Sequence, residues 1–490
     1  MRSMLSLIPL VLVSPLFAQT PGALARDTGV AARIARVEGG LLPPIAIAGA
    51  AETRSSVQQR MAHYHVPGVS IAVINDGRIE WARGYGVREF GGTTAVDTST
   101  LFQAGSISKP VAATAALRLV NQKQLDLDAD INSALRSWKV PSNAFTTQKP
   151  PTLRAILSHS AGFTVHGFPG YDADAQVPTV VQVLDGVAPA NTAPVRVDVM
   201  PGTIWRYSGG GITIAQLAMT DVTGRAFPEL MRELVLAPIG MTHSTYENPL
   251  PAAYARSAAT GHERLDTPVH GKYHTYPEMA AAGLWTTPSD LARWAIEIQR
   301  ASAGQSARVL SQAMTKQMLT RQFGSWGLGV ALSGSGHFAA FGHGGRDEGF
   351  VAQITATIDG GRGYVIMTNG VSSALLGEID RSIRDAYGWP DTPRRTMTRG
   401  NENAASLGAL AGRYRFVSGG DTLIASVTLE SGALYLQMPG EQREELIPES
   451  ALAFFTPVGV RASFVRAGES PASELVLDVG QKLRLARMPE

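Results

Sequence analysis

Ser106 and Lys109, in Phe102-Gln-Ala-Gly-Ser-Ile-Ser-Lys-Pro110, form the only S-x-x-K of this 490-residue chain. Residues three apart share a face of a helix, with Cβ atoms about 5–6 Å apart. That spacing sets a hydroxyl beside an amine. A serine hydroxyl becomes an effective nucleophile once a base takes its proton, and a neutral lysine can be that base. The expected chemistry is that of a serine hydrolase of the Ser-Lys type. Pro110 is tolerated only near a helix start, where the first backbone N–H groups lack partners anyway. Ser106 is therefore expected at or beside the N-terminus of a helix running to Lys123. The helix dipole there favours a developing negative charge. Ser108 is one residue from Lys109 and on the wrong face, which makes Ser106 the candidate nucleophile.

Two later motifs carry groups that could complete the chemistry. In Arg206-Tyr207-Ser-Gly-Gly-Gly211, a tyrosine precedes glycines and is expected to present its hydroxyl at a loop that a substrate backbone approaches closely. Beside a cationic lysine, a phenol can serve as base or proton relay. In Phe341-Gly-His343-Gly344-Gly345-Arg346, glycines just before a strand from Phe350 leave backbone free to pair with a ligand. An N–H there, with that of Ser106, could form an oxyanion hole.

In order and spacing these three motifs resemble the serine β-lactamase-like and penicillin-binding-protein superfamily. The nearest branch is that of class C β-lactamases, D-alanyl-D-alanine carboxypeptidases, D-aminopeptidases and family VIII esterases. Leu157-Ser-His-Ser-Ala-Gly162, Leu125-Asp-Leu-Asp128 and the segment Gly283 to Arg293 agree with it. The resemblance covers about residues 50 to 390 and implies an acyl-serine mechanism. Ser106 would attack the carbonyl and Lys109 would help remove its proton. Tyr207 would relay the proton to the leaving group and later activate water. His343, Gly344 and Gly345 would line the substrate edge, and the second oxyanion N–H would come from about Arg346. Two positions depart from the pattern. Gly209 stands where the family usually has an Asn that contacts the substrate amide. His343 stands where true class C β-lactamases have Lys, and a neutral imidazole attracts a β-lactam carboxylate less than an ammonium does; Arg346 is a candidate to compensate. The expectation is an ester or amide hydrolase. A true β-lactamase, a D,D-carboxypeptidase and a slowly deacylating penicillin-binding sensor are the alternatives.

The elements that must position these residues read as follows. Ala51 to His65 suggests a helix. Val69 to Ile74 and Arg78 to Val87 flank Asn75-Asp76-Gly77, a hairpin signal. Helices are expected at Thr152–His159, Gly211–Thr223, Phe227–Ala237, Ser289–Arg300 and Ser373–Tyr387, and 163–202 reads as loop-rich. Strands are expected at Gly327–Leu332, Val351–Ile358 and Tyr364–Thr368. Strands at both ends with helices between predict a mixed α/β (α+β) domain, with an antiparallel sheet flanked by helices and a helical subdomain. Beyond a linker, Leu423–Leu429, Ala433–Gln437 and Glu474–Met488, with turns at Ser431-Gly432 and Pro439-Gly440, predict a C-terminal all-β, barrel-like domain.

The chain divides accordingly into a signal peptide (1–18), a leader (19–45), the hydrolase domain (46–390), a linker (391–406) and the barrel-like domain (407–490). Arg2 followed by the apolar run Leu5 to Phe17, with Ala18 before Gln19, reads as a secretory signal and predicts a periplasmic or secreted protein. Beyond it no apolar stretch is long enough to span a membrane. With 44% hydrophobic and 17% charged residues and a net charge of +2, nothing recruits nucleic acid or anionic lipid. The absence of cysteine excludes thiol catalysis and disulfides. The expected partner is a small-molecule or peptide substrate, with no metal and no cofactor. His63 and His65, and His262, His270 and His274, read as ordinary structural or loop residues. Tyr171, Tyr273, Tyr276 and Trp326 could wall a pocket, with core packing as the default.

Overall fold

The computed structural model describes residues 21–264, 266–390, 394–400, 407–418, 421–438, 443–478 and 482–489. The expected signal segment 1–18 lies outside them. The stretch read as a leader instead carries a helix, α1 (Pro21–Gly39). Ile34, Val37 and Leu41 are buried from it and from its end, packed in one cluster with the sheet. Their three- and four-residue spacing is helical, but the Gly, Ala and Arg around them dilute the signal. A short strand, β1 (Ile45–Ile47), follows. The helix expected over 51–65 is limited to α2 (Val57–His63) because Ser56 caps it: Ser56 Oγ accepts from Gln59 N, and Gln59 Oε1 accepts from Ser56 N.

The central sheet holds β2 (Gly68–Asn75), β3 (Arg78–Gly86), β4 (Ala331–Ser333), β5 (Ala340–Asp347), β6 (Phe350–Thr357) and β7 (Gly363–Thr368). Its order is β3-β2-β7-β6-β5-β4, with every neighbouring pair antiparallel. The Asn75-Asp76-Gly77 turn joins the two strands expected of it, with positive φ at Asp76 and Gly77. The His343-Gly-Gly-Arg346 motif, expected just before the strand that starts at Phe350, lies inside a strand of its own, β5. Glycine has little intrinsic preference for strand; pairing with β6 along the whole of Ala340–Asp347 imposes it. The strand expected over Gly327–Leu332 is reduced to β4.

Alternation along the strands separates two cores. Val69, Ile71 and Val73 join α1 on one face. Ala72 and Ile74 face the larger cluster, which includes residues of α3 (Ser108–Asn121), α4 (Gly209–Thr223), α5 (Met279–Ala282) and α6 (Pro288–Ser302). A last helix, α7 (Ser373–Tyr387), packs beside α1.

Of the expected linker, residues 391–393 and 401–406 lie outside the described residues. Arg395–Met397 forms β8, which pairs parallel with β1. Eight further strands, from Gly412–Ser418 to Lys482–Arg487, close into an antiparallel barrel. The strand expected over Glu474–Met488 is two strands, Glu474–Asp478 and Lys482–Arg487. The Pro439-Gly440 turn lies outside the described residues. The barrel meets the rest of the chain through a small apolar cluster of Ile45, Met397, Ile447 and Phe455 and through His63 Nε2 to Glu444 at 2.9 Å. Among the described residues no helix is long and apolar enough to cross a membrane.

Candidate active site

Ser106 lies in a 3-10 turn, Gly105–Ile107, that runs directly into α3. The helix thus starts two residues later than expected, with Pro110 in its first turn. The i to i+3 geometry survives, because Lys109 Nζ donates to Ser106 Oγ at 2.9 Å. Lys109 is buried and Ser106 half-buried. A second bond, from Lys109 Nζ to Ala281 O at 2.7 Å, ties the amine to α5. Ser108 is structurally committed: its Oγ donates to Gly105 O and accepts from Leu284 N.

Gly345 and Gly105 let β5 reach this turn. A Cβ on Gly345 would lie 1.9 Å from Ala104 O, and one on Gly105, whose φ is +51°, would lie 2.4 Å from Arg346 N. Any side chain at either position would push the strand away. The Arg346 amide therefore sits beside the turn that begins Gly105-Ser106. Strand β4 covers β5 only over Ala340–Gly342, so the edge from His343 onward faces the cleft. Gly344 and Arg346 are exposed on one face of β5, and His343, Gly345 and Asp347 are buried on the other. The Arg346 side chain is thus not on the His343 face, and it does not stand in for the missing lysine there.

Tyr207 stands just before the N-cap of α4, where Ser208 Oγ accepts from Gly211 N. Its ring centroid is 5.0 Å from Lys109 Nζ and 6.0 Å from the His343 ring. The glycines after it do not form the open loop expected. They are buried and begin α4, with Gly209 N and Gly210 N donating to His166 O and Val165 O. A Cβ at Gly209 would lie 3.0 Å from the Phe168 ring and 3.1 Å from His166 O. Phe168 occupies the space into which a side chain there would extend.

These groups line one cleft of about 750 Å³, with Tyr276 and Trp326 among its walls. Tyr171 and Tyr273 are not among the lining residues. Tyr171 Oη accepts from Asn191 N, and Tyr273 packs edge-on against Trp285. His262 is held by Asn369 O and Phe90 N, and His270 lies near Asp174. His274 bonds Pro169 O and Asp172. Among the described residues no cluster of three or more His, Asp or Glu could hold a metal, and no barrel residue lines the cleft.

The electrostatics are set by burial. His343 Nδ1 donates to Gly344 O at 2.5 Å. Burial, then the nearby Lys109 charge, pull its pKa down to about 3, so the imidazole is neutral at physiological pH. Burial pushes the Asp347 carboxyl well above the usual range. The Gly105 amide is near enough to favour its charge, but neither oxygen completes a hydrogen bond among the described residues. Glu278, beside α5, is likewise unpaired, and burial raises it to about 8. Sequence reasoning did not single out Asp347, Glu278, His159, His166 or Phe168. For His159 alone there was a cue, its place within Leu157-Ser-His-Ser-Ala-Gly162.

A family model described as Beta-lactamase matches residues 53–387, well over half of the chain. The chain belongs to the Beta-lactamase family. Membership places it among serine hydrolases of amide and ester bonds. "Penicillin-binding protein 4" of Amycolatopsis lactamdurans is 25% identical over 371 residues, covering 72% of this chain and 93% of its own. A crystal structure of SurE with D-Leu superposes with a TM-score of 0.56 at 20% identity, over 95% of this chain and all of that one. The D-alanine carboxypeptidase AmpC of Burkholderia cenocepacia gives 0.55 at 19% identity, over 74% of this chain and 99% of that one. At such identities the two structures establish the fold alone.

Proposed function

We propose that this Beta-lactamase family member cleaves an ester or peptide-like amide through an acyl-Ser106 intermediate. The observation that carries this reading is the 2.9 Å contact between Lys109 Nζ and Ser106 Oγ at the floor of the cleft. With lysine neutral, the same contact runs in reverse: the Ser106 hydroxyl donates its proton as the oxygen attacks the carbonyl. The N–H groups of Ser106 and Arg346 receive the developing oxyanion. Tyr207 relays that proton from Lys109 to the leaving group; in the second half it relays a proton from the attacking water to Lys109, which returns it to Ser106 Oγ as the acid leaves. The free edge of β5 offers an extended substrate a strand to pair with. The apolar run before Ala18 supports a periplasmic or secreted location.

Efficient β-lactam turnover is the weaker reading. His343 is neutral, and Arg346 lies on the other face of β5, so the Ser106 side of that strand presents no cation to a β-lactam carboxylate. The test is time-resolved labelling with a fluorophosphonate and a fluorescent penicillin, together with a screen of p-nitrophenyl esters, D- and L-aminoacyl anilides and nitrocefin. Turnover of an ester or anilide that Ser106→Ala removes, with its melting temperature kept, supports the proposal. Unchanged turnover in that variant refutes it. A penicillin adduct that persists while no substrate turns over identifies a sensor instead.

A further inference from the structure

His159 ends the short helix Leu153–Leu157, one residue beyond its C-cap. Its φ is +56°, a left-handed conformation uncommon outside glycine, in which Asn, Asp and His are the commonest other residues. It is 2% exposed. That backbone turn gives it three simultaneous contacts around the phenol. Its carbonyl accepts from Arg206 N at 2.8 Å. Its Nδ1 accepts from Ser208 N at 3.2 Å. Its ring lies against the Tyr207 ring with centroids 4.3 Å apart. The residues on both sides of Tyr207 are thus bonded to one histidine, and Tyr207 itself is packed on it.

The Nδ1 acceptor role requires a neutral ring with its proton on Nε2. Burial, then the neighbouring Lys109 charge, keep it neutral, and Nε2 has no partner among the described residues. A buried imidazole with one nitrogen unsatisfied is costly. An apolar side chain would fill the space without that cost but could not accept from Ser208 N.

We propose that His159 is the positioning residue of Tyr207: it fixes the phenol over Lys109 by holding both flanking peptides and one face of the ring. This rests on the Ser106 hydrolase reading above. Misplacement of a reacting group by about 1 Å can cost on the order of a hundredfold in rate.

The test is a double-mutant cycle between His159→Ala and Tyr207→Phe. Steady-state turnover of a p-nitrophenyl ester, which needs Tyr207 to activate the deacylating water, is read beside the rate of Ser106 labelling by a fluorophosphonate, which reports only the attack on phosphorus with loss of fluoride. His159→Ala is expected to lower kcat about tenfold to a hundredfold. It should slow labelling far less, and it should add nothing to the loss already caused by Tyr207→Phe. His159→Asn keeps an acceptor and tolerates the left-handed backbone. It should recover part of the rate, and it carries the same cycle if the alanine variant does not fold. Additive losses, or labelling slowed as much as turnover, overturn the proposal while leaving the hydrolase reading intact. If Tyr207→Phe turns over normally, the His159 proposal falls and the acyl-Ser106 reading stands; if Ser106 is not labelled in the unmodified protein, both fall together.

Discussion

Two of the regions that bury carboxyl groups treat them in opposite ways. Between α2 and α7, Glu378 is fully buried and fully paired. Arg60 donates to both its oxygens at 2.7 Å, and Tyr64 Oη donates at 2.7 Å. Around the cleft, Asp347 and Glu278 are also buried and have no hydrogen-bond partner among the described residues. His159 Nε2 and His343 Nε2 share that condition. An unpaired buried polar group costs stability, whereas a charge pair with its hydrogen bonds complete mainly penalises being broken. The α2–α7 seam is built for the folded state. The cleft holds groups kept neutral by desolvation beside an amine that must lose its proton to act. Unpaired, perturbed groups of this kind concentrate at functional sites.

The contrast can be broken by mutation. The largest expected effect is in the cleft and on rate. Lys109→Ala should lower turnover by about 10²–10⁴-fold while leaving the urea midpoint near that of the unmodified protein; near-normal hydrolysis would point to another base. Next comes the seam. Glu378→Ala strands Arg60 and should cost about 3–5 kcal/mol in equilibrium unfolding, with kcat of the folded fraction unaltered. A loss under 1 kcal/mol would mean that the two regions do not differ as described.

A smaller, pH-dependent effect is expected for Glu278. Below about pH 4.5 both folded and unfolded chains hold its proton. Between there and about 8, the unfolded chain ionises while the folded one does not. Unfolding is therefore favoured as pH rises through this window, with a slope on the order of 1 kcal/mol per pH unit. Glu278→Gln should flatten that slope, as read from denaturant midpoints at pH 5, 6.5 and 8. An unchanged slope would mean the carboxyl is solvated after all. The smallest effect belongs to the barrel contact. His63→Ala should change stability by roughly 0–1 kcal/mol without altering kcat, because no barrel residue described here lines the cleft.

Legibility followed the range of the interactions. The Asn75-Asp76-Gly77 hairpin was readable because turn chemistry is local. So was α7, whose start at Ser372 and end at Gly388 carry ordinary caps. The strand through His343-Gly-Gly-Arg346 was not readable, since two glycines adopt it only because β6 lies alongside. Helix α1 was missed because its apolar positions matter only when the sheet is present to bury them. In the site, three motifs were visible as residue types. That Gly209 is walled by Phe168 and that His159 grips both neighbours of Tyr207 depend on segments dozens of residues apart, and that Arg346 turns away from His343 depends on the strand pairing with β6.

The amino-acid sequence alone determined that Ser106 and Lys109 would stand side by side, because residues three apart on a helix meet whatever surrounds them. It also determined the family, through the order of its motifs. Tertiary packing decided what else faces that pair and how each group titrates, because burial, unlike helical spacing, belongs to the whole fold and to no single segment.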